Sequence, residues 1–171
     1  MNIREFAKEF YKLPETKIAI DLAPHQIRIL TDCFTKVKGH FPYQTIIYSC
    51  PKKSGKTEIC ALVGLYYALS QEKYNEIYFI ANDLEQSQSR GFKRATRVIE
   101  TNPHLRTKMR CRRSLIDIPE TGTEIQALSS DYAGVAGANP GLTIWDELWA
   151  YSASFGTRIL TADLRWVNVE T

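Results

Sequence analysis

Gly55, Lys56 and Thr57 close the stretch Ser49-Cys50-Pro51-Lys52-Lys53-Ser54-Gly55-Lys56-Thr57-Glu58, and Asp146 and Glu147 follow the apolar run Leu142-Thr143-Ile144-Trp145 later in the chain. The first group has the chemistry of an anion cradle. A tight loop between a strand and a helix points consecutive backbone N–H groups inward, with the positive end of the helix beneath them. Gly55 permits close approach, Lys56 reaches the β- and γ-phosphates of a triphosphate, and the Thr57 hydroxyl is a ligand for Mg²⁺. Lys52 and Lys53 add two cations to this loop or stand as solvated loop lysines. In the second group, Asp146 can hold Mg²⁺ directly or through water, opposite Thr57. Glu147 beside it can orient and deprotonate an attacking water. Alone, an Asp-Glu pair after a strand reads as the acidic start of a helix, favoured by the macrodipole. The upstream loop turns the balance toward nucleoside-triphosphate hydrolysis.

The loop departs from the pattern G-x-x-x-x-G-K-[ST] at Cys50, which stands where the first glycine belongs. Its context compensates: Thr45-Ile46-Ile47-Tyr48 is a β-branched strand leading in, and Ile59 to Leu69 is an apolar helix leading out. Ahead of that strand, Ala23-Pro24-His25-Gln26 places an amide with both a donor and an acceptor, able to read both edges of adenine. From spacing alone, a helix start with an exposed Gln26 is the better reading of the same residues. Arg90, Arg94 and Arg97 share roughly one face of a helix. Arg90 or Arg94 is a candidate arginine finger, and a solvated face is the plainer alternative. His25, His40 and His104 are isolated, with nothing to pair them with a metal or a nucleophile.

These residues need a scaffold, and the apolar pattern supplies one. Helices are expected over 2–12 and about 25–38, the latter closed by Gly39 and Pro42. A strand is expected over 44–49, a buried helix over 57–70, a buried strand over 77–81, and a long helix over about 84–101 ending near Asn102-Pro103. Segments 114–119 and 123–128 flank Glu120-Thr121-Gly122 as a hairpin. Leu142 to Trp145 is a further buried strand, and Leu164 to Val169 is one more candidate. The alternation predicts an α/β fold with a mainly parallel sheet and helices on both faces. It reads as a single ATPase domain over 1–171, with its core at about 20–150, an N-terminal helix within 1–20 and an indistinct tail over 151–171.

Apolar residues make up 44% of the chain and charged residues 24%, ordinary for a globular protein with a real core. A net charge of +3 is too small to argue for nucleic acid by itself. The basic residues cluster, however, from Arg90 to Arg113 against the single acid Glu100. Such a run is a solvated face or a surface for a phosphate backbone. Cys33, Cys50, Cys60 and Cys111 show no metal-ligand spacing and read as free thiols. The start of the chain is charged and amphipathic, not a signal peptide, and no apolar run approaches the roughly 20 residues needed to span a bilayer.

The segments Leu22-Ala23-Pro24-His25-Gln26, Pro51 to Glu58, Ala81-Asn82-Asp83-Leu84-Glu85-Gln86-Ser87, Ala127-Leu128-Ser129-Ser130 with Gly137-Ala138-Asn139-Pro140, and Ile144-Trp145-Asp146-Glu147-Leu148-Trp149 occur in this order. Together they resemble the ATPase domain of bacteriophage terminase large subunits, the motors that package DNA into procapsids. That family tolerates a non-glycine residue at the first loop position and favours an early basic residue. The resemblance implies a P-loop core of the additional-strand, helicase-like type, with Walker A and Walker B motifs and with ATP and Mg²⁺ as cofactors. It implies double-stranded DNA as the translocated substrate, terminase small-subunit and portal-protein partners, and a ring in which an arginine from a neighbour completes each site. The setting implied is the cytoplasm of the bacterial host.

By position, the resemblance makes Gln26 the adenine reader and Lys52, Lys53, Ser54, Gly55, Lys56, Thr57 and Glu58 the ATP-binding loop. Thr57 and Asp146 become the Mg²⁺ residues, and Glu147 with Lys56 the catalytic pair. The family's nuclease domain is not expected here, since Asp163 and Glu170 make no acidic cluster. A Ser/Thr-rich coupling motif is not recognisable in Thr161 to Thr171. The chain therefore reads as one domain of a larger protein or a shortened product. The competing readings are another helicase-like nucleic-acid ATPase and a non-catalytic module that binds nucleotide or DNA.

Overall fold

The architecture is that of a computed structural model, which describes residues 1–71, 74–81, 90–129, 140–145 and 164–170. Two short helices come first. Helix α1 (Ile3–Glu9) starts at Asn2, whose side chain accepts from the Glu5 amide while Glu5 accepts from the Asn2 amide. This reciprocal cap offsets the poor intrinsic stability of so short a helix. Helix α2 (Pro24–Phe34) has Pro24 in its first turn, where a missing N–H costs nothing.

Helix α2 ends earlier than the pattern suggested. Thr35 is extended, and Val37 and His40 exchange backbone hydrogen bonds of 2.8 and 3.1 Å around Lys38 and Gly39. Both central residues have positive φ, so this turn consumes the polar groups that a longer helix would have used.

Strand β1 (Thr45–Cys50) alternates exposed and buried residues and delivers the chain to the glycine loop. Helix α3 (Lys56–Ser70) is buried without a break from Ile59 to Ala68, so it lies inside the domain rather than on it. Strand β2 (Glu76–Ala81) follows, then helix α4 (Arg90–Thr101). The expected start of α4 near residue 84 lies outside the described residues. Its end at Thr101 agrees with the reading, but Pro103 does not end helicity. Asn102 caps a new short helix, α5 (Pro103–Lys108), by accepting from the His104 and Leu105 amides. The Asn-Pro pair is thus a stop and a start at once.

Strand β3 (Arg110–Cys111) was not anticipated and pairs antiparallel with β4 (Leu115–Ile118). Strands β4 and β5 (Thr123–Ser129) form the expected hairpin, with Gly122 at φ +67 in its turn. Strands β6 (Leu142–Trp145) and β7 (Leu164–Glu170) complete a seven-stranded sheet in the order β1-β7-β6-β2-β5-β4-β3. The pairs β1–β7, β7–β6, β6–β2 and β2–β5 are all parallel, and only the hairpin edge is antiparallel.

This order carries the functional argument. The loop-bearing strand β1 and the strand β6 are not neighbours, because β7 pairs with both. That is the additional-strand arrangement expected of this α/β P-loop fold. The tail strand that looked indistinct in the sequence is the inserted one, with Trp166 fully buried between Ile46 and Ile144 in the register. Close contacts lock α3 and α4 to the sheet. A Cβ on Gly64 of α3 would come within 2.6 Å of the Phe79 ring, and one on Gly91 of α4 within 3.1 Å. Phe79 is thus wedged where only glycines leave room.

Candidate phosphate-binding site

Because β1, β7 and β6 run parallel, their C-terminal ends share one edge of the sheet. The register sets Trp145 of β6 level with Val167 and Ile47, and β1 continues to Cys50. The two strand ends are held two strand spacings apart, roughly 9–10 Å. Asp146 and Glu147 follow Trp145 in the sequence and lie outside the described residues. Their strand is firmly placed: Ile144 and Trp145 are buried, and the Trp145 Nε1 donates to Thr143 Oγ1 at 3.1 Å.

The loop is built by two left-handed residues. Lys53 has φ +65, and Gly55 has φ +86 and ψ +19 as the N-cap of α3. Ser54 N donates to Pro51 O at 3.3 Å, and Ile59 N to Gly55 O at 3.1 Å, which starts the helix. Cys50 is buried at the end of β1 and is not among the positive-φ residues. The backbone at this first loop position is ordinary strand and makes no demand for glycine.

Three features fit the loop to a phosphate. No side chain caps the N-terminus of α3, which leaves the positive end of the helix open to an anion. The Ser54 hydroxyl is buried without a hydrogen-bond partner. The Lys56 ammonium makes a long 3.5 Å contact to the Cys50 carbonyl at the base of the loop. Thr57 is half-buried in the first turn, while Lys52 and Lys53 are exposed.

Gln26 is buried rather than exposed, at 9% of its accessible surface. Its Oε1 accepts from the Ala23 amide at 2.9 Å, and its Nε2 donates to the Ser54 carbonyl at 3.2 Å. One side chain therefore ties the start of α2 to the phosphate loop. The Tyr48 hydroxyl of β1 is buried without a hydrogen-bond partner. Burial raises its pKa above the ordinary tyrosine value.

Glu58 and Arg94 belong to a network that sequence reasoning missed. Glu58 Oε2 accepts from the buried Tyr11 hydroxyl at 2.9 Å, and Glu58 Oε1 lies 2.5 Å from Arg94 Nε, an ion pair without hydrogen-bond alignment. Arg94 Nη1 and Nη2 donate to the two oxygens of Glu15 at 2.5 and 2.8 Å. Burial, then Glu58, pushes the Tyr11 phenol well above its ordinary pKa. The hydrogen bond from Arg94 holds the Glu15 carboxyl at about 2, and the same bond drives the Arg94 pKa further up. Tyr11 and Glu15 are far from the loop in sequence and carry no motif, so no local signal could have announced them.

Of the remaining candidates, Arg90 is exposed at the start of α4. In the basic run, Arg94 is half-buried and the other Arg and Lys residues are exposed, with Arg112 paired to Asp117 at 3.5 Å. Burial raises the Cys33 and Cys111 thiols to about 11, so these cysteines stay protonated and inert. Among the described residues no group of three or more His, Cys, Asp or Glu could hold a metal, and no helix is long and apolar enough to cross a membrane.

A parallel sheet with an added strand beside the loop strand, and a helix that starts at Lys56 directly after the left-handed Gly55, define a P-loop-type fold. A family profile described as terminase large subunit, ATPase domain, matches residues 24–163, and the chain belongs to that family. The large terminase of bacteriophage HK97 aligns with a TM-score of 0.77 at 20% identity, over 99% of this chain and 37% of that one. The large terminase of a thermophilic bacteriophage aligns at 0.62 and 12% identity, over 88% and 39%. The large terminase ATPase domain of Thermus phage P74-26 aligns at 0.56 and 12% identity, over 88% and 70%. At these identities the likeness is one of fold. The chain spans well under half the length of the first two of these proteins. No curated protein sequence matches it.

Proposed function

We propose that the loop Pro51 to Thr57 binds Mg-ATP and that its hydrolysis drives double-stranded DNA into a phage procapsid. The observation that carries this reading is the start of α3: a left-handed Gly55, amides with no capping side chain, and an orphaned Ser54 hydroxyl. Such a helix start is a ready anion site.

In this reading Lys56 leaves the Cys50 carbonyl for the phosphates and neutralises charge there. Lys52 and Lys53 raise the positive potential at the loop mouth, and Gln26 reads the adenine while bracing the loop through Ser54. Thr57 and Asp146 hold Mg²⁺, which when bound neutralises phosphate charge. Glu147 orients the attacking water and takes its proton. An arginine from a neighbouring copy, Arg90 by its exposure, completes the site in a ring; Arg94 could serve only by leaving Glu15 and Glu58. The exposed basic residues from Arg90 to Arg113 are the proposed contact for the DNA backbone. Family membership supports the wider assembly with a small subunit and a portal protein.

Titration of the purified chain with Mg-ATP by calorimetry tests the loop assignment. The wild type should bind, and Lys56→Ala should weaken binding by at least tenfold. Equal affinity in both would overturn the assignment.

A further inference from the structure

The first three helices differ at one equivalent position. In α1, the third helical residue is Glu5, whose carboxylate folds back to accept from the Asn2 amide at 3.0 Å. In α2 it is Gln26, whose Oε1 folds back to the Ala23 amide at 2.9 Å. In α3 it is Glu58, the residue type that favours this back-folding most, both as a capping partner and as an anion at the positive helix end. Yet no side chain caps α3. Both Glu58 oxygens are engaged elsewhere, Oε2 by the Tyr11 hydroxyl and Oε1 by Arg94. Tyr11 comes from the segment after α1 and Arg94 from α4, and Arg94 is itself braced by both oxygens of Glu15.

A carboxylate folded onto the start of α3 would occupy the amides that a phosphate needs. We infer that Tyr11 and Arg94 are positioning residues that hold Glu58 off the N-terminus of α3 and so keep the phosphate loop open. This inference rests on the proposed phosphate binding. Its consequence is specific. Freeing Glu58 creates an internal competitor for the amides, which weakens nucleotide binding without touching the chemistry of bound nucleotide. The signature is a rise in Kd or KM at constant kcat, cured by deleting the carboxylate.

The test uses the full chain with Tyr11→Phe, Arg94→Gln, the double variant, and each of these combined with Glu58→Ala. Mg-ATP affinity and turnover are read beside the thermal unfolding midpoint. A helix-end anion contributes about 0.3–2 kcal/mol, so each release should weaken Mg-ATP binding by about twofold to thirtyfold. Adding Glu58→Ala should restore affinity to near the wild-type value. Tyr11→Phe removes one hydroxyl and is nearly isosteric, so it decides the question even if Arg94→Gln fails to fold. Unchanged affinity in folded variants, or a loss that Glu58→Ala does not cure, overturns the inference. So does a fall in kcat at unchanged affinity, which would assign Arg94 to the chemistry. A wild type that binds no Mg-ATP overturns the phosphate-binding reading and this inference with it. A wild type that binds, beside released variants that bind equally, overturns the inference alone.

Discussion

Replacing Gly55 by alanine isolates the loop's backbone geometry from its side chains. Gly55 has φ +86, and a Cβ built there meets only Gln26 Nε2, at an ordinary 3.7 Å. The cost is therefore conformational, not steric. A non-glycine residue in the left-handed region costs roughly 1–2 kcal/mol. Reduced freedom in the unfolded chain returns about 0.4–1 kcal/mol. The net penalty is about 1 kcal/mol, which for a domain of this size lowers the Tm by about 2–4 °C.

The penalty must surface somewhere. If the variant loop keeps its shape, the Tm falls and nucleotide affinity holds. If the loop relaxes, the Tm holds, and binding must restore the strained shape at a cost of about fivefold in Kd. The two effects should sum to about 1 kcal/mol. Gly39→Ala is the control, because Gly39 has φ +88 and nothing within 4 Å of its built Cβ. It should show the Tm loss alone. Calorimetric unfolding and Mg-ATP titration of both variants give the sum. A Gly55→Ala protein with wild-type Tm and wild-type affinity would refute the reasoning.

Two further perturbations probe the scaffold. Gly64→Ala would put a methyl group 2.6 Å from Phe79 Cζ and 3.3 Å from Ile144 Cδ1. Such overpacking should cost about 1–3 kcal/mol in denaturant unfolding, and Phe79→Leu in the same chain should recover part of it; additive losses would contradict the wedge. The Glu15 carboxyl is lowered from 4.5 to about 2, chiefly by its hydrogen bond from Arg94. A depressed folded pKa contributes stability above pH 4.5 that is lost as pH falls toward 2. The Tm advantage of the wild type over Glu15→Gln should therefore shrink across that window, and an advantage that persists at about pH 2 would contradict the ion pair.

The elements that could be read in the sequence were those whose apolar pattern is local. The alternating β1, the all-apolar α3, the short runs of β2 and β6 and the Glu120-Thr121-Gly122 hairpin were all legible. The loop residues stood out in the sequence because the chemistry proposed for them depends on adjacency. Long-range pairings left no such trace. That β7 enters between β1 and β6 depends on parallel registers set by distant residues, and Leu164 to Glu170 alone carries no sign of its neighbours. Helix α2 stops short because the Val37–His40 turn offers its backbone groups a better exchange, a contest that propensity does not register. Pro103 signals a break but not that Asn102 will cap a new helix. Gln26 was weighed as an exposed side chain because nothing nearby in sequence reveals that the Ser54 carbonyl will cover it. Glu58 stood out as a loop residue, and nothing local announced that its carboxylate would meet Tyr11 and Arg94. Cys50 looked like a defect in a motif, and the structure places it as the last residue of β1 with no positive φ that would call for glycine.

The most direct test of the account is Mg-ATP hydrolysis by the purified chain, with and without double-stranded DNA, beside Lys56→Ala and Glu147→Gln. The wild type should turn over ATP. Lys56→Ala should lose binding and turnover together. Glu147→Gln should bind as the wild type does and lose turnover by about a hundredfold or more, the scale of a positioned general base. A Glu147→Gln protein that hydrolyses ATP at the wild-type rate would contradict the assignment of the base, and a wild type that binds no nucleotide would contradict the account at its root.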